Sequence, residues 1–111
     1  MITHAVFFWL KRPDSAEDRD RLIEGIRGLA AIEVVRSLQV GIPADTGARD
    51  VVDSSFGVSE IITFDTVADE AIYQTHPLHE AFIAEYGHLW SRVTVYDIAD
   101  PEGSPVDPDH E

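Results

Sequence analysis

The stretch Ile2-Thr3-His4-Ala5-Val6-Phe7-Phe8-Trp9-Leu10 decides the fold. In an extended chain, alternate side chains point to opposite faces. Ile2, His4, Val6, Phe8 and Leu10 then share one face, and Thr3, Ala5, Phe7 and Trp9 share the other. Both faces are largely apolar, so the strand is expected to be covered on both sides. The rest of the chain has helices for one face only. The face with Phe7 and Trp9 is left for a second copy of the chain.

The following segments alternate in type. Lys11-Arg12-Pro13-Asp14 turns the chain. Ser15 with Asp18 fits a capping box, with Asp14 as a rival cap, and opens a helix running to about Ala31. Leu22, Ile26 and Leu29, joined by Ile23 and Ala30, form its apolar stripe. Gly25 and Gly28 weaken this helix, and close packing on the sheet or room for a ligand would explain them. Residues 34–42 alternate as a second strand, and 43–53 form a loop rich in Asp, Gly and Ala.

Residues 56–64 form a third strand, with Phe56, Val58, Glu60, Ile62 and Phe64 on one face. Glu60 interrupts that apolar row. It reads first as an edge or interface residue paired with Arg or Thr, and second as a catalytic carboxylate. Asp65-Thr66 caps a second helix, which His76-Pro77 interrupts. Proline suits the first turn of a new helix, here running to about Gly87. Residues 92–98 are the last strand. The order β-α-β-β-α-β is the ferredoxin-like plan, an α+β fold with an antiparallel sheet and helices on one face.

The chain has 111 residues, enough for one domain, here residues 1–99. Residues 100–111 form an acidic tail with Pro101, Pro105 and Pro108, expected to be flexible. The net charge of -13 disfavours nucleic acid and anionic membrane surfaces as partners. No apolar run approaches the roughly 20 residues that span a bilayer. The start lacks the basic and apolar regions of a secretion signal, so the protein is expected to be cytoplasmic. The absence of cysteine excludes disulfides, thiolate metal sites and a cysteine nucleophile.

Chemistry concentrates in Tyr73-Gln74-Thr75-His76-Pro77-Leu78-His79. With the opening His4-to-Lys11 strand and the third strand ending in Phe64-Asp65, this element resembles the stress-responsive α/β-barrel (Dabb) family. The likeness covers roughly residues 2–98. It implies a dimeric α/β barrel. The Tyr-x-x-His-Pro-x-His element is similar to that of the family's polyketide cyclase branch, the olivetolic acid cyclase type, which closes a carbon chain by aldol condensation without a cofactor. That resemblance implies His79 as general base, Tyr73 as its hydrogen-bonding partner, and His4 lining the pocket. An imidazole can take a proton α to a carbonyl, and a phenol can donate to the developing enolate oxygen.

His76, Val6, Phe8, Phe82 and Trp90 are the expected pocket walls, and the expected ligand is a small apolar or aromatic molecule. No cofactor or metal is assigned. His76 and His79, with His4 or Glu80, would be a zinc alternative, but the spacing does not match the zinc-peptidase motifs. Plainer roles stand beside the chemical ones. His76 before Pro77 reads as a helix-junction cap, Tyr73 with His79 as a buried structural pair, and His4 as a satisfied core histidine. The alternatives to a cyclase or isomerase are a non-catalytic ligand-binding or stress-protective dimer and a haem- or quinone-type monooxygenase of the same superfamily.

Overall fold

The computed structural model describes residues 1–101. The expected flexible tail therefore lies almost wholly outside the described residues. Strands β1 (Ile2–Leu10), β2 (Ser37–Gly41), β3 (Val58–Phe64) and β4 (Trp90–Ala99) form one sheet in the order β2-β3-β1-β4. Every neighbouring pair is antiparallel. Helices α1 (Ala16–Gly28), α2 (Val67–Thr75) and α3 (Pro77–Tyr86) lie on one face, which gives the ferredoxin-like fold.

Local chemistry sets the helix ends. Ser15 Oγ accepts the Asp18 amide at 3.1 Å and is the cap of α1, ahead of its rival Asp14. The Asp18 carboxylate does not reach back to the cap. It takes two hydrogen bonds from Arg12, both 2.8 Å, and ties the preceding turn to the helix. Thr66 Oγ1 caps α2 by accepting from the Asp69 amide. His76 does two jobs at the next boundary. Its extended backbone ends α2, and its Nδ1 accepts the Leu78 amide at 3.0 Å to start α3, with Pro77 in the first turn.

Leu22, Ile26 and Leu29 are buried as the stripe requires, against Val58, Ile62 and Phe64 of β3 and the even-numbered side chains of β1. Burying side chains of this size contributes about 1.5–3 kcal/mol each. Gly25 is explained by a neighbouring helix, not by the sheet or a ligand. A Cβ there would lie 2.7 Å from the Tyr86 ring of α3.

Three strands differ from expectation, and β4 simply extends beyond 92–98 at both ends. Residues 34 and 35 stay outside β2 because the Val35 amide turns back to the Ile32 carbonyl, and sheet bonding begins at Arg36. Phe56 does not share a face with Val58. Its ring packs 5.1 Å from Phe7, on the face away from the helices, because the chain bends at Gly57 before joining the ladder.

The helices leave two regions of sheet uncovered. One is the face bearing Phe7, Trp9, Tyr96 and Ile98, the last two exposed. The other is the β4 edge on the helix side, where Val93 and Val95 are also exposed. No helix among the described residues is long and apolar enough to cross a membrane.

Candidate functional site

The register of β1 places His4 opposite Ile62 on one side and Asp97 on the other. All three point toward the helices. His4 is buried, and its Nδ1 lies 2.5 Å from Asp97 Oδ1. A carboxylate can only accept, so the ring N–H donates. That bond places a hydrogen on Nδ1. A second carboxylate, Glu70 of α2, approaches the same Nδ1 to 3.9 Å.

α2 delivers Tyr73 over this part of the sheet, fully buried. Its ring sits edge-on to His4, with centroids 5.8 Å apart, and to His79 of α3 at 4.7 Å. The break at His76-Pro77 makes this meeting possible, because α3 starts on a new axis with its first turn beside the last turn of α2. His4, Tyr73 and His79 thus gather in one place.

The other expected wall residues are placed differently. His76 faces the junction, with Nδ1 on the Leu78 amide and Nε2 2.8 Å from exposed Glu33. Phe8 and Val6 are buried, and Phe8 packs 5.0 Å from Trp90 and 6.5 Å from Phe82. Phe82 stacks on Trp90 at 5.7 Å and reaches His79 at 6.4 Å.

The electrostatics single out a residue that the sequence reading placed elsewhere. Glu60 is neither an edge residue nor paired with Arg or Thr. It is 2% exposed, and Tyr73 Oη donates to its Oε2 at 3.4 Å. Burial pushes its carboxyl up to about 7, against a smaller downward pull from the Tyr73 hydrogen bond. Burial, then the charge of Glu60, raises the Tyr73 phenol well above its ordinary value. Burial, then the charge of His4, lowers His79, which favours its neutral form. Asp97 and Glu70 were missed as members of the site, and Glu60 was given a chemical role only as a second reading. The available signal was a carboxylate interrupting an apolar row, as Glu60 does in β3 and Asp97 does after Val93 and Val95.

A cavity of about 200 Å³ opens beside this cluster, lined by Ile2, Val67, Glu70, Asp97, Ile98 and Ala99, so that the cluster reaches it through Glu70 and Asp97 and not through His4, Tyr73 or His79. A larger one, about 360 Å³, belongs to the loop of residues 43–54 and meets none of these groups. His4, Glu70 and Asp97 offer donor atoms within 4.8 Å of one another, a spacing compatible with a divalent cation. The direct His4–Asp97 hydrogen bond already accounts for their approach.

A buried imidazole and phenol between a four-stranded antiparallel sheet and its helices define a ferredoxin-like α+β protein with a polar cluster under its helices. The chain belongs to the stress responsive A/B barrel domain (Dabb) family, whose profile matches residues 2–100. Among solved structures it is similar to a protein of Arabidopsis thaliana, at 20% identity and a TM-score of 0.77, covering 91% of this chain and 96% of that one. A hydroxynitrile lyase from Passiflora edulis is similar at 24% identity and a TM-score of 0.74, covering 94% and 96%. A dimeric ferredoxin-like protein of unknown function from Thermobifida fusca matches at 21% identity and a TM-score of 0.69, covering 88% and 89%. No curated protein sequence matches the chain. Likeness at these identities establishes the fold.

Proposed function

We propose that this protein is a homodimeric Dabb enzyme that performs cofactor-free acid–base chemistry on a small carbonyl-bearing molecule. His79 is the base, Tyr73 is the donor to the developing oxyanion, and His4, held by Asp97, lines the pocket. One observation carries the reading. A buried phenol and a half-buried imidazole in ring contact are biased in complementary directions, His79 toward its neutral form and Tyr73 toward its protonated form. A neutral imidazole accepts a proton, and a phenol kept protonated donates. Opposed acid and base roles set by environment are the usual signature of such a site.

The reaction class is a cyclisation, an isomerisation or a lyase reaction in which a proton leaves carbon or a hydroxyl. Cleavage of a cyanohydrin, the reaction of the Passiflora edulis neighbour's class, needs the same two roles. The cavity of about 200 Å³ favours a small substrate, since drug-sized sites run from about 300 Å³ upward. The same small volume, with Phe8, Phe82 and Trp90 packed on one another, favours a second reading, a dimer that binds a small ligand without turning it over.

The test is turnover of mandelonitrile and of a short β-polyketide thioester by the parent protein, His79→Ala and Tyr73→Phe. Loss of about 10²-fold or more in both variants is expected, the usual scale for a positioned proton-transfer group. A parent that turns over neither compound but binds benzaldehyde would leave the non-catalytic reading standing.

The dimer itself is proposed to form through the sheet face of Phe7 and Trp9. Arg92 lies 4.1 Å over the Trp9 ring there, and Phe7 packs 6.1 Å from Tyr96, giving an aromatic surface that holds a cavity of about 170 Å³. Phe7→Asp is expected to convert the dimer to a monomer in light scattering. An unchanged mass would place the interface elsewhere.

A further inference from the structure

Glu60 is a deeply buried group of the cluster that the proposed chemistry leaves unused. Its row across the sheet, on the helix side, is Val40, Glu60, Val6 and Val95. A carboxyl among three valines sits in a medium that penalises its charge. Tyr73 of α2 is the titratable group that touches it, and Glu70 of α2, His79 of α3 and His4 of β1 lie around that phenol. Helix α1 brings apolar Leu22 and Ile26 to the same core, and β2 brings Val40. Among the described residues, Tyr73 is the hydrogen-bond partner of the carboxyl.

A phenol oxygen both donates and accepts, whereas an ionised carboxylate only accepts and a protonated one can donate. The Glu60–Tyr73 bond can therefore run in either direction. We infer that Glu60 is a positioning residue that sets where the Tyr73 hydrogen points. Protonated, the carboxyl donates to Tyr73 Oη and frees the phenolic hydrogen for a ligand oxygen. Ionised, it takes that hydrogen for itself and removes the donor from the site.

This inference deepens the acid–base reading and rests on it for its effect on turnover. The direction of the bond is a property of the protein alone. Burial supports it by bringing the carboxyl to about 7, so that both forms are populated near neutral pH. Donation from Glu60 also polarises the phenol and strengthens its bond to the ligand.

The experiment has two arms. In the first, protein carrying 13C at the tyrosine Cζ is titrated without ligand, and Tyr73 is assigned with Tyr73→Phe. The Tyr73 signal is expected to switch from an accepting to a donating phenol with a midpoint near pH 7. In Glu60→Gln, whose amide donates at every pH, no switch is expected. A Tyr73 that donates to Glu60 across the whole range overturns the inference, and this result does not depend on Glu60→Gln folding. In the second arm, kcat/KM for mandelonitrile is followed against pH. The parent is expected to lose about tenfold per pH unit above its midpoint, and Glu60→Gln to stay flat within about twofold. The same alkaline limb in both proteins overturns the positioning role. A parent with no turnover sinks the acid–base reading instead, and the first arm still decides the direction of the bond.

Discussion

Glu60 and Asp97 are both carboxylates on the helix side of one sheet, and β1 separates them. Opposite Glu60 stands Val6, and opposite Asp97 stands His4. Each meets one ring, a phenol for Glu60 and an imidazole for Asp97. Their surroundings differ. Glu60 is buried beneath α2, while the Asp97 side chain is 52% exposed on the β4 edge that no helix covers. The inner carboxyl is driven toward its neutral form. The outer one is open to solvent, which screens its contact with His4. Position relative to the helices, more than residue type, decides whether a carboxylate here stores a proton or orients a ring.

Replacing the inner carboxyl should have the largest effect. Its folded-state value of about 7 lies above the ordinary 4.5. The favourable contribution of such a group is complete below about 4.5 and is lost as pH rises through about 7. A shift of this size corresponds to roughly 3 kcal/mol. The stability gap between Glu60→Gln and the parent is therefore expected to move in the variant's favour by roughly that amount between about pH 4 and about pH 8, read by urea denaturation. A constant gap would mean that Glu60 is ionised in the fold and that the contrast with Asp97 is false.

Tyr73→Phe should be smaller. It leaves the buried carboxyl without its phenol, at a cost of about 1–3 kcal/mol. Because the Tyr73 bond holds the Glu60 value down, its loss should also move the pH window upward. A window that stays in place would show that the 3.4 Å contact transmits nothing.

Period-two patterning made most of this fold legible. The two apolar faces of residues 2–10 located the central strand, and the helix stripe of Leu22, Ile26 and Leu29 located the core it faces. The break at His76-Pro77 was readable because proline has one comfortable place in a helix. The site was legible only along the chain. Tyr73 and His79 lie six residues apart, and a local motif brings them into view. Glu60 and Asp97 reach the same cluster through strand register, at separations of 13 residues from Tyr73 and 93 from His4. No local pattern encodes that register. Phe56 failed for a related reason. Alternation counts residues, and the bend at Gly57 resets the count.

Asp97→Asn is the smallest expected change in stability and the sharpest probe of the outer carboxylate. An ion pair with a half-exposed partner contributes under about 1 kcal/mol, so the melting transition should barely move. The effect should fall on the imidazole. With the carboxylate gone, an asparagine oxygen can still accept from Nδ1, but it no longer favours a charged ring. A 15N spectrum of labelled histidine should then show a changed Nδ1 signal for His4, because its acceptor is an amide oxygen in place of a carboxylate. The charge of His4 is one of the influences that lower His79, so His79 should titrate slightly higher in the same spectrum. Turnover should fall while Glu60 and its pH window remain untouched, because β1 and Val6 stand between the two carboxylates. Coupled loss of both would mean that the site works as a single hydrogen-bonded network from Glu60 through Tyr73 to His4, with no division between an inner and an outer carboxylate.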